Sequence, residues 1–394
     1  MKPALVVIDG EHYPPVVRDA IEQLPYDVVG AWLAGGTEKL RGAEGYGVPL
    51  VETFEEGLAD VEVVVDLSDE PVLGPRQRLL LASRALAAGV RYEGADFRFE
   101  PPEYAPFPLP SLAVIGTGKR VGKTAVTGRV ARLLARDHDV VVVAMGRGGP
   151  AEPQIAAVQP TLESLLDLSR AGHHAASDYL ETAALTGVVT IGCRRAGGGL
   201  AGAVTTSNVL EGAALAVERE PDVVVFDGSG AAVPPVAVDA RILVSGRSHD
   251  PLAYLNPYRV LVSDVVVLVG GGDAAAVRTL KKIPVVEAAL RLKPVSPLHG
   301  RRVAVFTTGL AATEGLDAEV VSVSRNLANR SRLSEDLAQT DADVYLVEIK
   351  AAAIDLVAEA AVMRGAEVVF AENEVIAPGL DEAVLALVAA RARA

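Results

Sequence analysis

The chain contains one cysteine, Cys193, among 394 residues. A single thiol excludes an intramolecular disulfide and fits a reducing compartment. Long apolar runs are missing too. Half of the residues are apolar, enough for sizeable cores, yet no run reaches the ~18 residues that suggest a membrane span. Positive charge is scarce: 37 Lys and Arg stand against 51 Asp and Glu, for a net charge of −14. That balance argues against general binding to nucleic acid or to anionic membranes. The first residues lack the pattern of a secretory signal, because strand-like Ala4–Ile8 leads directly into Asp9 and Glu11. No H-x-x-x-H or C-x-x-C spacing points to a protein-bound transition metal. The expectation is a cytoplasmic protein with no nucleic-acid and no membrane partner.

What is present is concentrated in one stretch, Gly116-Thr117-Gly118-Lys119-Arg120-Val121-Gly122-Lys123-Thr124. It follows an apolar run, Leu112–Ile115, and opens an amphipathic one, Ala125–Ala135. Strand, glycine-rich turn ending in Gly-Lys-Thr, and helix form the context of a phosphate-binding P-loop. Glycines let backbone N–H groups converge on a phosphate, and the helix adds its N-terminal donors and dipole. Lys123 is expected on the β- and γ-phosphates of ATP and the Thr124 hydroxyl on Mg²⁺. The standard pattern has a glycine where this chain has Thr117. The spacing G-T-x-x-x-V-G-K-T instead resembles dethiobiotin synthetase and its relatives.

The organisation around this loop reads as α/β throughout. Residues 1–100 alternate strand-like runs (Ala4–Ile8, Val28–Leu33, Val61–Leu67) with helical ones (Val16–Leu24, Gln77–Ala88), which predicts a Rossmann-like open α/β domain. The turn after its first strand, Asp9-Gly10-Glu11-His12-Tyr13-Pro14-Pro15, is not G-x-G-x-x-G, so no dinucleotide site is expected there. Residues 101–110 are proline-rich and read as a linker. Residues 111–298 predict a P-loop NTPase catalytic domain with a parallel sheet. Its strands are Leu112–Ile115, Val140–Ala144, Val188–Ile191, Val223–Phe226, Ala240–Val244 and Val265–Val269. Residues 299–394 read as a smaller α/β domain, with strands Arg302–Phe306, Val344–Ile349 and Glu367–Phe370 and helices Ala351–Met363 and Asp381–Ala392.

Ligands of open parallel sheets bind beyond the carboxyl ends of the strands. Three further turns lie at such ends. Ala144-Met145-Gly146-Arg147-Gly148-Gly149-Pro150 offers Arg147 between glycines, and a guanidinium fork suits phosphate or carboxylate. Gly192-Cys193-Arg194-Arg195-Ala196-Gly197-Gly198-Gly199 offers two arginines before three glycines, a second anion cradle. Asp227-Gly228-Ser229-Gly230 ends a buried strand on a carboxylate, where P-loop proteins place a Mg²⁺ contact. Asp227 is preferred over Asp66 and Glu348, which end strands in the other domains. Lys119, Arg120, Lys123, Arg147, Arg194 and Arg195 are a basic exception in an acidic chain. Cys193 is expected to pack rather than react. Of the histidines, His12 in its unusual turn is a candidate substrate contact, His173 and His174 read as a solvated helix end, and His138, His249 and His299 as loop residues.

The ordered set of D-G-E-H-Y-P-P at 9–15, G-T-G-K-R-V-G-K-T-A at 116–125, A-M-G-R-G-G-P at 144–150, G-C-R-R-A-G-G-G at 192–199 and D-G-S-G-A-A-V-P-P at 227–235 resembles the cyclic 2,3-diphosphoglycerate synthetase family. The resemblance implies an enzyme that uses ATP to close 2,3-bisphosphoglycerate into its cyclic pyrophosphate, releasing ADP and phosphate. It implies Lys123, Asp227, Arg194 and Arg195 as the catalytic set, with Thr124 and Asp227 on Mg²⁺. Arg147, Gly148, Gly149, Arg194, Arg195, Gly197, Gly198 and His12 would face the substrate. Expected partners are that small molecule and a second copy of the chain. Two other readings share the P-loop: a dethiobiotin-synthetase-like ligase or kinase acting on another small anion, and a MinD-like nucleotide-dependent partner switch.

Overall fold

The structure is a computed structural model and describes residues 1–35, 45–156, 178–308, 312–349 and 354–391. His173 and His174 lie outside the described residues, as do the first three residues of the expected helix Ala351–Met363. The chain divides into two units. One comprises Met1–Glu103 with Pro251–Val262 and Thr279–Lys281; the other comprises Tyr104–Asp250, Ser263–Arg278 and Lys282–Ala394.

The first unit is built on six strands: β1 (Pro3–Ile8), β2 (Asp27–Leu33), β3 (Leu50–Val51), β4 (Val63–Asp66), β5 (Arg91–Glu93) and β6 (Arg98–Phe99). Their order is β3-β2-β1-β4-β5-β6, and only β5 and β6 pair antiparallel. β1 is buried from Ala4 to Ile8 because a central parallel strand is covered on both faces. The helices are α1 (Pro14–Gln23), α2 (Phe54–Gly57), α3 (Pro75–Ala87) and α7 (Asn256–Leu261), the last packing on α3. The paired prolines after Tyr13 open α1, where a missing N–H costs nothing because that group has no intrahelical partner. Residues 251–262 thus belong with the first unit although they lie between two strands of the second.

The second unit carries the P-loop. Its strands are β7 (Ser111–Gly116), β8 (Val140–Gly146), β9 (Gln154–Ala156), β10 (Val189–Ala196), β11 (Thr206–Ser207), β12 (Val223–Asp227), β13 (Ala240–Gly246), β14 (Val265–Val269), β15 (Val285–Pro294), β16 (Arg302–Phe306), β17 (Glu319–Ser324), β18 (Val344–Glu348) and β19 (Glu367–Ile376). The helices are α4 (Lys123–Leu134), α5 (Asp178–Thr186), α6 (Val209–Glu218), α8 (Ala274–Leu280), α9 (Arg330–Gln339), α10 (Ile354–Arg364) and α11 (Leu380–Arg391). One sheet runs β11-β10-β8-β12-β7-β13-β14-β15-β19-β18-β16-β17, with β9 pairing to β10. The P-loop strand β7 lies between β12 and β13 and is buried along its length.

The sheet does not stop at the boundary expected between residues 298 and 299. The first half of β15 runs parallel to β14, and its second half, Ala289–Pro294, pairs antiparallel with Ala371–Ile376 of β19. The first half of β19 runs parallel to β18. Two ten-residue strands therefore splice the 299–394 segment onto the P-loop sheet. Their residues explain the splice. Val286, Ala288, Leu290 and Leu292 alternate inward into the core that also holds Val126, Val130 and Leu133 of α4, while Glu287, Arg291 and Lys293 alternate outward.

Candidate active site

The second unit's site grows from the end of β7. Left-handed backbone occurs at Arg120 (φ 58°) and Gly122 (φ 87°), and Thr117 keeps an ordinary φ. A side chain at 117 is therefore tolerated where the usual pattern has glycine. Thr117 uses it: its Oγ1 lies 3.1 Å from Ser245 Oγ, and its N–H donates to the Val244 carbonyl (3.1 Å). Ser245 Oγ in turn donates to the His249 carbonyl (3.0 Å). The loop is thus pinned to the end of β13. Gly118 faces the His249 ring so closely that a Cβ there would lie 2.3 Å from Nε2. Gly122 begins α4 without a side-chain cap, leaving its first N–H groups for an anion.

Lys123 and Asp227 are both buried, and Lys123 Nζ donates to Asp227 Oδ1 at 2.5 Å. Thr127, one turn further along α4, donates to the same oxygen at 2.7 Å. The other oxygen, Oδ2, is buried and has no hydrogen-bond partner. An orphan carboxylate oxygen in a dry site is costly unless a cation or its water meets it. The alternatives lack this feature. Asp66 accepts from Ser68 and Tyr92 and pairs with Arg78. Glu348 accepts from Thr307, Thr308 and Asn373 on its two oxygens. The Asp227 carboxylate and the hydroxyl of Thr124, which lines the loop cavity, are the oxygen donors that suit Mg²⁺, which takes one or two protein ligands and completes its shell with phosphate oxygens and water. Among the described residues no group of three His, Cys, Asp or Glu could hold a metal by itself.

Around the loop lies a cavity of about 170 Å³ lined by Gly118–Thr124, Arg147 and Gly230. Whole-ligand pockets run roughly 300–1,000 Å³, so this one matches the phosphate end of a nucleotide. Gly230 reports what converges there. A Cβ on it would lie 2.9 Å from an Arg147 Nη, 3.7 Å from an Arg195 Nη and 3.7 Å from Lys119 Cγ. Arg195 also donates to the Ser229 carbonyl at 2.8 Å. Guanidinium groups from two other turns, Arg147 and Arg195, thus meet at one glycine beside the P-loop, against the stem of Lys119 from the loop itself. A larger cleft of about 500 Å³ lies at the far end of α4. Its charges pair among themselves, Arg129 with Asp381 and Arg132 with Glu372, so its size does not make it the site.

Several expected residues fall elsewhere. Arg194 was expected beside Arg195, but strand alternation turns it to the opposite face of β10, where it is exposed. Gly149 serves packing: a Cβ there would lie 2.0 Å from the Cys193 carbonyl oxygen. Gly197 (φ 72°) turns the chain tightly against Thr205, and Gly198 flanks an Arg195 Nη. Gly148 is exposed. Cys193 is buried against Gly212, and burial pushes its thiol up to about 12, the behaviour of a packing cysteine. His12 lies in the first unit, its Nδ1 3.1 Å from buried Asp9. Burial pushes the Asp9 carboxyl up, but hydrogen bonds from His12 and from the amides of Glu11 and Asp69 outweigh it and hold the carboxyl below its ordinary value. Sequence reasoning missed Thr127, Ser245, Asn208 and the packing of His249 on the loop. Only Thr127 carried a signal, four residues after Lys123 on one helix face.

Fold and site together define a P-loop α/β nucleotide-binding protein. Family models for the N-terminal, P-loop and C-terminal domains of cyclic 2,3-diphosphoglycerate synthetase match residues 3–100, 111–296 and 294–374. The cyclic 2,3-diphosphoglycerate synthetase of Rubrobacter xylanophilus is 48% identical, over 99% of this chain and 98% of that protein. The protein of the same name from Thermococcus kodakarensis is 40% identical over 94% of each chain, and that from Methanothermus fervidus is 36% identical over 94% and 92%. The chain belongs to the cyclic 2,3-diphosphoglycerate synthetase family.

Proposed function

We propose that this chain uses ATP to close 2,3-bisphosphoglycerate into cyclic 2,3-diphosphoglycerate, releasing ADP and phosphate. The observation that carries the reading is the meeting of Arg147 and Arg195, from two turns outside the P-loop, at Gly230 beside the P-loop cavity. A triphosphate alone needs the P-loop. A second ligand with two phosphates, each near −1.5 to −2, needs the further cations.

Two displacements account for the product. An oxygen of one substrate phosphate attacks the γ-phosphorus of ATP, and ADP leaves. An oxygen of the second substrate phosphate then attacks the phosphorus of the first, and inorganic phosphate leaves as the ring anhydride closes. Lys123 leaves Asp227 to neutralise charge on the β- and γ-oxygens, aided by the free N–H groups of α4. Arg147, Arg195 and Lys119 hold the two substrate phosphates together against their repulsion, so positioning supplies much of the rate. Thr124 and Asp227 would hold Mg²⁺, which supplies charge neutralisation at the transferring phosphoryl group. Arg194 and the glycines of the two turns shape the cradle rather than touch the reacting atoms. His12 has no step in this sequence. In this reading the enzyme works on a small molecule in the cytoplasm, as a homodimer with no nucleic-acid partner, and residues 1–100, 111–298 and 299–394 are its functional segments.

Phosphorus NMR tests the reading. With Mg-ATP and 2,3-bisphosphoglycerate, a cyclic pyrophosphate should appear together with one ADP and one phosphate. ATP hydrolysis indifferent to the bisphosphate would overturn it. Arg195→Ala should raise the KM for the bisphosphate at least tenfold and that for ATP less than threefold. Arg194→Ala should change both by less than threefold.

A further inference from the structure

Asn208 occupies the N-cap position of α6, where an asparagine normally turns its side chain back onto the helix. Here it makes no capping bond. Ser207 stands in, its Oγ accepting from the Val209 N–H at 3.0 Å. The Asn208 amide is directed to the two arginine turns. Its Oδ1 accepts from the Arg194 N–H at 2.6 Å, and its Nδ2 donates to the carbonyls of Pro150 (3.2 Å) and Ala151 (3.1 Å). The Asn208 backbone N–H also donates to the Arg194 carbonyl (3.2 Å), so Arg194 is held at both ends. The side chain is nearly buried, at 8% exposure, so these bonds face little competition from water.

The topology explains why such a clamp is needed. Arg147 follows β8 and Arg195 lies next to the last residue of β10, and the two strands pair only as far as Gly146 and Arg194. Beyond that point the ladder gives way to a turn, which folds back so that Gly149 lies against the Cys193 carbonyl and the Arg194 N–H. One amide ties the two turns, with a single acceptor for one and two donated hydrogens for the other. Asparagine can supply both at once; aspartate cannot donate, and serine is too short to reach both turns.

We infer that Asn208 is a positioning residue that sets the spacing of Arg147 and Arg195, and thereby the affinity for the second, bisphosphorylated ligand. The inference rests on the proposed reaction for its kinetic consequence but not for its structural one. The test uses the full chain. Hydrogen exchange on wild type and Asn208→Ala should show at least tenfold faster exchange in both Gly146–Gly149 and Arg194–Gly199, with the P-loop amides of Gly118–Thr124 unchanged. Asn208→Asp keeps the acceptor for Arg194 and loses the donors, so its faster exchange should be confined to the 146–151 turn. In the cyclisation assay Asn208→Ala should raise the bisphosphate KM about tenfold and leave the ATP KM within twofold. In an Arg147→Ala background the same change should add less than threefold, because the two act through one contact. Unchanged exchange in both turns, or a parallel rise of both KM values, would overturn the inference. Absence of cyclic product from wild type would instead overturn the reaction, while the exchange data still judge the clamp.

Discussion

At the residue scale, the P-loop departs from the common pattern at one position and explains itself there. Thr117 replaces a glycine where φ is ordinary, and its hydroxyl joins Ser245 and through it the His249 carbonyl. The same end of β13 brings the loop a close neighbour, the His249 ring, seated on Gly118. A methyl group at 118 would collide with that ring. Gly118→Ala should therefore weaken ATP binding at least tenfold by calorimetry, and adding His249→Ala should restore most of the loss by making room. If the double variant binds no better than Gly118→Ala, the ring is not what confines the loop. The loop itself was legible because glycines, lysine and threonine that meet one phosphate are contiguous in the chain. His249 and Asn208 were not, since nothing local to either residue marks the turn it will touch. The two arginines at 194 and 195 were legible as a pair but not as alternating faces, because the strand runs further than its apolar residues do.

At the level of elements, α4 is held from below by an alternating strand. Leu290 and Leu292 of β15 share the core under α4, and a Cβ on Gly122 would touch Leu290 Cδ1 at 3.3 Å. The outward residues of the same strand reach half-buried carboxylates from the solvent side, Arg291 pairing with Glu374 and Lys293 with Glu372 and Glu374. The two faces should therefore differ in cost. Leu292→Ala should destabilise by about 2–5 kcal/mol, seen as a fall of several degrees in Tm. Arg291→Ala should cost about 1 kcal/mol or less, as ion pairs open to solvent on one side do. Equal losses at the two positions would mean that β15 does not alternate as described. The continuous valine-rich runs of β8, β12 and β14 announced strands buried on both faces. β15 did not, because Glu287, Arg291 and Lys293 interrupt its apolar residues at alternate positions shared with Ala289, the signature of a strand with one wet face. β17, exposed along most of its length, gave even less to read.

For the whole molecule, the decisive feature is the antiparallel meeting of β15 with β19. A boundary near residue 298 was a fair inference from the sequence, since helices and strands resume there as in a fresh α/β unit. The pairing of residues 289–294 with 371–376 joins segments too far apart for any local pattern to announce. Its consequences reach the P-loop helix. Arg129 of α4 bonds Asp381 and the Val375 carbonyl, and Arg132 bonds Glu372. Val375, Ala377, Leu380 and Val384 complete the core that also contains Val126 and Val130. A chain ending at residue 298 would leave the second half of β15 as a bare edge with Leu290 and Leu292 uncovered, the kind of edge that aggregates. It would also strip α4 of three partners. Such a chain should be insoluble, or soluble without measurable ATP binding, and supplying residues 299–394 separately should not restore a monodisperse protein by light scattering. A soluble 1–298 chain that binds ATP like the full protein would show the C-terminal segment to be an independent domain and the splice to be dispensable. The sheet predicts the opposite: the nucleotide site and the last quarter of the chain share one core, so neither is expected to stand without the other.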